Sequence, residues 1–544
     1  MMENKHTDKD FSSTALPSDE NALSAFEQVT VPQKSVKKKR LSSNTRLLVI
    51  VVAIVAALAV ALALLLPLLS DENGGSSTVS STSDTNEEVW PLYDRSKDDT
   101  KEKIVQAVTI KNASDDYTIR YDKKEATYKL DGFTELSLSA SVDEMIESAT
   151  VLNGYDRVDK VENKAEFGLD KPSSTVTVTY HDGSVNTLLI GDKTPDEAGY
   201  YVCMQYGNEV YMADTSAISL FHMHKGQYLE KTLIAAPTVK SDDTEGSAVL
   251  KEMTLKGGPN NETLSIRRAT TADGLEYSYS TFIVTKPYMR MVDTEVTDAL
   301  NGFTALIAGE GVVLHPTAEQ KKQYGFDSPY AVLDVTMAVE TVVADESSED
   351  EEDSPEMLYY NTASSTVTIG NKSELGNYYV MIDGVDVIYL VAFDSLSVVV
   401  ERTYENTISD LLFLKDITKV SKLEVSIEGK MHTMLLSHDE SKEDTDDQLT
   451  VTYNGKALKS APFRTIYSAL MSLSRYSNAD IVPTGQPTYT MKLYDPDGSL
   501  FLSLELYATS GSLYTTKTNE GELFSVKASD VSTFIAQLSE YLAD

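Results

Sequence analysis

Cysteine and tryptophan are almost missing from this chain, with one of each in 544 residues, and histidine is scarce at seven. A single cysteine, Cys203, forbids an intramolecular disulfide, so the chain is not a disulfide-stapled secreted scaffold. Its folded parts must rest on hydrophobic cores, and the thiol reads as a small buried hydrophobe rather than a reactive group. Basic residues are in deficit as well. Lys and Arg number 47 against 84 Asp and Glu, a formal charge of −37. The first 46 residues hold 8 basic and 6 acidic side chains, which leaves 39 against 78 in the remainder. A field of that sign repels nucleic acid and anionic lipid, so nucleic-acid binding is excluded and solubility favoured.

Signatures of common chemistries are also missing. The chain has no P-loop or dinucleotide glycine fingerprint, and Gly257-Gly258 followed by Pro259 reads as a turn. It has neither a G-x-S-x-G elbow nor an H-E-x-x-H helix. His222 and His224, in FHMHKG, can place two imidazoles on one strand face, but zinc needs at least one further ligand that the spacing does not identify. Ordinary surface or interface positions are the preferred reading for both. The other histidines after the apolar run are His181, His315, His432 and His438. Among 78 acidic residues, neighbouring carboxylates arise by chance, so glycosidase chemistry is not inferred. The expectation is no catalytic, cofactor-binding or metal-binding residue.

What is present begins with Leu47–Leu69, 23 residues without a charged or hydrogen-bonding side chain. As a helix this run spans roughly 35 Å, enough for a hydrocarbon core of about 30 Å. Lys37, Lys38, Lys39, Arg40 and Arg46 precede it and Asp71 and Glu72 follow, which places the N-terminal side in the cytoplasm and the rest outside. The alternative is a cleaved signal peptide. The run is too long for its usual apolar core, and the small-x-small pair Ala61/Ala63 lies inside it. No cysteine sits nearby, which excludes a lipoprotein anchor. The reading is a single-pass cell-membrane protein held in the bilayer by residues 47–69. A basic tail of low apolar periodicity (1–46) precedes the anchor, and a linker (70–99) opens with the Ser/Thr/Gly-rich stretch 70–87.

The remainder repeats. FGLDKPSSTVTVTYHDGSVNTLLIG (Phe167–Gly191) is followed by YYV (Tyr200–Val202) and VYMAD (Val210–Asp214). YGFDSPYAVLDVTM (Tyr324–Met337) is followed by STVTIG ending at Gly370, YYV (Tyr378–Val380) and IYLV (Ile388–Val391). The offset grows by 22 residues between Gly168/Gly325 and Gly191/Gly370. The acidic run ADESSEDEEDSPE (344–356) accounts for this as a solvated loop in a hairpin. Calcium is disfavoured there, because the run lacks spaced ligands and a turn-forming glycine. A weaker third copy contains YTMKLYDPDGSLFLSLELY (Tyr489–Tyr507) and LFSVKASDVSTF (Leu523–Phe534). VTIKN (108–112), EMTLKG (252–257) and KLEVSIEG (422–429) open the three copies.

Each copy has one helix candidate, at 141–152, 293–308 and 462–476. In the last, Phe463, Ile466, Tyr467, Leu470 and Leu473 recur at helical spacing. Period-two alternation such as TVTVT (175–179), with Asp-Gly turns at 182–183 and 497–498, makes the rest antiparallel sheet. The expected fold class is α+β, in tandem repeats of antiparallel sheet plus one packed helix at 100–236, 237–416 and 417–544. In the aromatic-Gly-x-Asp-x-Pro element, Gly168 and Gly325 permit positive φ while Pro172 and Pro329 lead into strands. Tyr201 and Tyr379 suit cross-strand packing, so these residues read as fold determinants.

At FGLDKPSSTVTVTY, LLIGDKTP, GYYV and VYMAD, across residues 160–221, the chain resembles the bacterial domain-of-unknown-function family 4340. The second copy departs at Ser328 and in its insertion, and the third lacks the opening element. The resemblance implies an extracytoplasmic α+β domain on an N-terminal anchor. It also implies a companion role to export-type ABC transporters, as in gliding-motility-like auxiliary proteins, and it carries no catalytic residues over. The expected function is a non-enzymatic accessory protein whose partners are the bilayer and an ABC permease or ATPase. Thirty tyrosines, many on strands, keep a cell-wall or glycan-binding alternative open, and an exported enzyme of unrecognised type is the third.

Overall fold

A computed structural model describes residues 89–238, 246–270, 273, 281–343, 356–443, 445–479 and 481–543. The tail 1–46, the apolar run 47–69, the stretch 70–87 and all but the last residue of the acidic insertion lie outside the described residues. Among the described residues no helix is long and apolar enough to cross a membrane.

The fold is α+β, with strands in antiparallel sheets and helices packed against them. The first sheet contains β1 (Trp90–Asp94), β2 (Val105–Asn112), β3 (Asp116–Asp122), β4 (Thr127–Leu130), β5 (Val151–Arg157), β6 (Ser174–Tyr180), β7 (Val185–Lys193), β8 (Gly199–Met204) and β9 (Tyr211–Asp214). Helix α1 (Ser141–Thr150) separates β4 from β5, and α2 (Thr215–Ser219) follows β9. A short strand β10 (Thr232–Ile234) leads to the second sheet. That sheet holds β11 (Ser247–Gly257), β12 (Glu262–Arg268), β13 (Phe282–Lys286), β14 (Arg290–Met291), β16 (Glu310–Leu314), β17 (Ala331–Val343), β18 (Glu356–Lys372), β19 (Tyr378–Ile382) and β20 (Val385–Val391). Helix α3 (Thr294–Asn301) and strand β15 (Leu306–Ile307) precede β16, α4 (Ala318–Gln323) follows it, and α5 (Phe393–Val400) closes the unit. The third sheet holds β21 (Lys422–Ile427), β22 (Lys430–His438), β23 (Leu449–Tyr453), β24 (Lys456–Leu458), β25 (Ser477–Asn478), β26 (Tyr489–Tyr494), β27 (Leu500–Ser510), β28 (Leu513–Thr518) and β29 (Leu523–Lys527). Its helices are α6 (Thr445–Gln448), α7 (Ser460–Met471) and α8 (Ala528–Ala543).

One strand order recurs. It reads β5-β9-β8-β7-β6-β2-β3-β4 in the first sheet, β16-β20-β19-β18-β17-β11-β12-β13 in the second and β25-β29-β28-β27-β26-β21-β22-β23 in the third. The segments VTIKN, EMTLKG and KLEVSIEG lie in the equivalent strands β2, β11 and β21, well inside each sheet. Alternation sets the faces: Ser174, Val176, Val178 and Tyr180 of β6 are buried, and the residues between them are partly exposed. Each sheet covers its own apolar cluster, centred on residues such as Ile110 and Val178, Leu333 and Val380, or Leu423 and Leu506.

Three sequence expectations need correction. Each sheet carries two helices on its core, not one: α1 with α2, α3 with α5, and α7 with α8. The 293–308 candidate also overran. Its helix ends before Gly302, and Leu306–Ile307 pair instead with β10 of the preceding unit. The 22-residue offset is likewise only partly a loop. Strands β17 and β18 span 13 and 17 residues against 7 and 9 in β6 and β7, and they pair as far as Val343↔Glu356.

The units interlock through the chain that follows each closing helix. Leu229 bridges Leu138; the Ser139 amide donates to Tyr228 O at 2.8 Å and the Glu230 amide to Ser137 O at 2.9 Å. The same device follows α5. Ile408 bridges Val292, the Asp293 amide donates to Thr407 O at 2.9 Å, and the Ser409 amide donates to Met291 O at 2.9 Å. Each connector then joins the next unit, through β10–β15 in one case and through the Leu411↔Ser474 bridge in the other. Buried aliphatic and aromatic residues fall at matching places, Leu229, Leu233 and Ile234 against Ile408, Leu412 and Phe413.

Candidate interaction surfaces

The aromatic-Gly element is a loop clamp. Gly168 ends a 3-10 turn (Lys164–Phe167) at φ +70°, and a β-carbon there would lie 2.5 Å from Asp192 Oδ1. Gly191 lets this loop approach β7, since an added Cβ would stand 2.0 Å from Phe167 O. Unit two repeats both contacts, with Gly325 against Asn371 at 2.4 Å and Gly370 against Tyr324 O at 2.2 Å. Phe167 tilts against Tyr201 and Tyr324 meets Tyr379 edge-on, with ring centroids 4.9 and 4.5 Å apart. These residues hold the fold. Cys203 lies under the first clamp with Leu169 and Val210, and burial pushes its thiol pKa up, against a nucleophilic role.

His222 and His224 do not converge. His224 caps the 3-10 turn Lys225–Tyr228, and its Nε2 lies 2.8 Å from Glu310 of the second unit. His222 lies against the Tyr200 ring with Nε2 2.9 Å from Ser173 Oγ. Ser173 Oγ also reaches Ile190 O and Gly191 O, so its single proton goes to a carbonyl and the imidazole Nε2–H is the donor. Nδ1 is then a bare, buried nitrogen without a partner among the described residues. Burial holds the His222 pKa below its ordinary value, and Lys193 adds to the effect. The unfolded chain therefore takes up this proton first on acidification. Stability from this group is complete above the ordinary pKa near 6.5 and declines as pH falls towards the lower folded value. Thermal melts should show a smaller loss between pH 7.5 and 5.5 for His222→Gln than for the parent; equal losses would remove this role.

The remaining described histidines are scattered over the three units. His181 meets Asp98, His432 stacks on Tyr453, and His315 crosses to Glu135 of the first unit at 2.5 Å. His438 has a buried Nδ1 without a partner among the described residues, in a groove with Arg464 and Tyr467. Among the described residues, no three His, Cys, Asp or Glu side chains gather as metal ligands.

Two surface features do bring recognition groups together. A cleft of about 730 Å³ at the β1–β5 edge contains Trp90, Asn153, Tyr155, Asp156, Arg157 and Asp214 among its lining residues. Trp90 sits opposite Gly154 in the ladder, with the Arg157 guanidinium 4.3 Å over its ring and held from behind by Glu209 at 2.9 Å. Tyr155 is 44% exposed and rests on Gly199, where any side chain would strike its ring. The sequence flagged none of these residues, although the lone tryptophan was a usable signal. The second feature is a groove of about 810 Å³ beside β24, between α7 and α8.

Comparison with known protein families gives one result. Residues 139–329 match the family described as Domain of unknown function (DUF4340). The match begins just before α1 and ends at Pro329. It takes in the latter part of the first unit, the whole first connector and the opening of the second unit. The DUF4340 span thus contains the first aromatic-Gly clamp and the loop of the second, together with the seam that joins them. Neither the curated proteins nor the solved structures contain a match to this chain.

Proposed function

We propose that this protein is a non-enzymatic, membrane-anchored accessory protein that acts outside the cytoplasm with an ABC-type transport system. The observation that carries the reading is the apolar run Leu47–Leu69 with basic residues before it and acidic residues after it. The similarity to DUF4340 supports it. So does the engagement of the distinctive side chains in clamps and seams, where they hold surfaces rather than a reacting centre.

Affinity purification of the intact chain in mild detergent, followed by mass spectrometry, tests this reading. Recovery of a permease and ATPase, lost when residues 47–69 are exchanged for an unrelated membrane helix, is the expected result. Purification of the chain alone would overturn the transporter association. The Trp90–Tyr155 cleft favours one second reading, a glycan contact, because an exposed aromatic ring beside Asn and Asp groups suits a sugar face and its hydroxyls. Retention on peptidoglycan that Trp90→Ala abolishes would favour it, and no retention would remove it.

A further inference from the structure

The connector position is filled in two units, and in the third no described residue pairs there. In the second unit the strand before the helix is covered: Met291 and Val292 are 6% and 1% exposed beneath the chain around Ile408. The counterpart in the third unit is β24, which pairs on one side only, with β23, and leads directly into α7. Here Ala457 is exposed and Leu458 only half-buried. The Asn454-Gly455 turn has both residues at positive φ, so Tyr453 and Lys456 form the hydrogen-bonded pair that closes the hairpin. Alternation then turns the main-chain groups of Ala457 and Lys459 outward, as it does those of Met291 and Asp293. In the second unit those outward groups bond Ser409 and Thr407. In the third, the Lys459 carbonyl accepts from Tyr541 Oη at 2.7 Å, and the groove of about 810 Å³ runs along the same edge.

The closing helix differs as well. α2 and α5 span 5 and 8 residues before the chain departs as a connector, whereas α8 runs for 16 residues to Ala543. The groove floor is apolar, with Leu458, Pro462, Ile466 and Tyr541. Lys456, Lys459 and Glu540 form the rim, a local excess of positive charge on a strongly acidic chain. Gln537 adds a shielded Oε1 that has no partner among the described residues and can accept a hydrogen bond.

We propose that the outer edge of β24 and its groove dock an extended acidic–apolar segment of a partner protein, added as an antiparallel strand with an aliphatic side chain against Leu458 and Ile466. Strand addition of this kind draws affinity from main-chain bonds and selectivity from side-chain pockets. Two stretches of this chain already occupy the equivalent position, which defines the occupant as an extended strand with aliphatic or aromatic side chains, while its acidic character follows from the two lysines against one glutamate at the rim. Among the described residues a second copy offers no free stretch of this kind, because its connectors and β1 are engaged in its own sheets. The proposal stands beside the transporter reading, and peptide binding tests it whatever co-purifies with the chain.

A labelled peptide with the sequence of Thr403–Phe413 (TYENTISDLLF) supplies the probe. Fluorescence anisotropy with the full chain in detergent should show saturable binding. Ala457→Pro, which removes an outward amide from an edge strand that tolerates proline, should weaken it about tenfold or more. Pro462→Asp, an exposed change on the groove floor, should do the same while the melting temperature holds. Hydrogen exchange supplies a readout without any ligand: the Lys459 amide should exchange far faster than those of Ser139 and Asp293. Failure to bind, binding indifferent to both substitutions, or a Lys459 amide as protected as Asp293 would each overturn the proposal.

Discussion

Glu522→Ala should destabilise the protein by about 3–5 kcal/mol, the usual consequence of leaving a buried charge without its partner. Glu522 lies at the seam between the second and third units. Its Oε2 stands 3.1 Å from Arg290 Nη1, with both side chains 5% exposed, and its Oε1 accepts from Tyr404 Oη at 2.7 Å. Arg290 also donates to the carbonyls of Ser409 and Leu411, and its guanidinium lies over Phe524. Desolvation and the neighbouring carboxylate both push the Tyr404 pKa up, so the phenol stays a donor across the ordinary pH range. Removing Glu522 strands the guanidinium, leaves Tyr404 Oη without its acceptor, and enlarges an adjoining cavity of about 90 Å³. The double change Arg290→Met/Glu522→Leu should recover most of the loss, because an apolar pair removes both charges together. Denaturant unfolding of the three variants checks this. A single variant within about 0.5 kcal/mol of the parent, the range of an ordinary surface change, would show that the pair is not a structural contact.

Gly226→Ala is the second large effect, expected near the upper end of overpacking costs at about 3 kcal/mol. The new methyl would lie 1.7 Å from Gly311 O and 2.7 Å from Gly311 C, so backbone meets backbone and no side chain can yield. Gly226 opens the first connector on the 3-10 turn capped by His224, and Gly311 belongs to β16 of the second unit. The loss should therefore appear as looser docking of the first two units. Faster hydrogen exchange at the Ala308 amide, which donates to Lys231 O, is its expected local sign. Gly183→Ala makes the contrast. Its φ is +82° but nothing lies within 4 Å, so only backbone strain of about 1–2 kcal/mol is expected. Equal losses from the two substitutions would contradict the close approach at the seam.

Much of the sheet architecture was legible because alternation and turn chemistry are local. TVTVT with Asp182-Gly183 writes the β6–β7 hairpin directly, and Phe463, Ile466, Tyr467 and Leu470 mark one face of α7. The closing helices were harder to see. Five residues of α2, capped by Asp214, continue a strand pattern without a full apolar period. The longest of them was missed without that excuse, because Val531, Phe534, Ile535 and Leu538 have helical spacing in plain view. The seams were not legible as contacts, since Arg290 and Glu522 stand 232 residues apart and only the fold brings them together. Their connectors did leave a trace. LEKTLI (229–234) and ISDLLF (408–413) share aliphatic or aromatic residues at three matching places, a repeat too short to notice before its role is known.

The proposed transporter role requires residues 89–543 to stand outside the cytoplasm with residues 47–69 in the membrane, and site-directed thiol labelling tests this most directly. Cys203 is buried and stays silent, while Tyr206 is 93% exposed and accepts Tyr206→Cys without loss of packing. A second variant, Ser12→Cys, reports on the tail. With a membrane-impermeant maleimide on intact cells, the Tyr206→Cys protein should label and sediment with membranes, and the Ser12→Cys protein should label only after permeabilisation. Labelling of Tyr206→Cys only after permeabilisation, or recovery of the full-length labelled protein free of membranes, would contradict it.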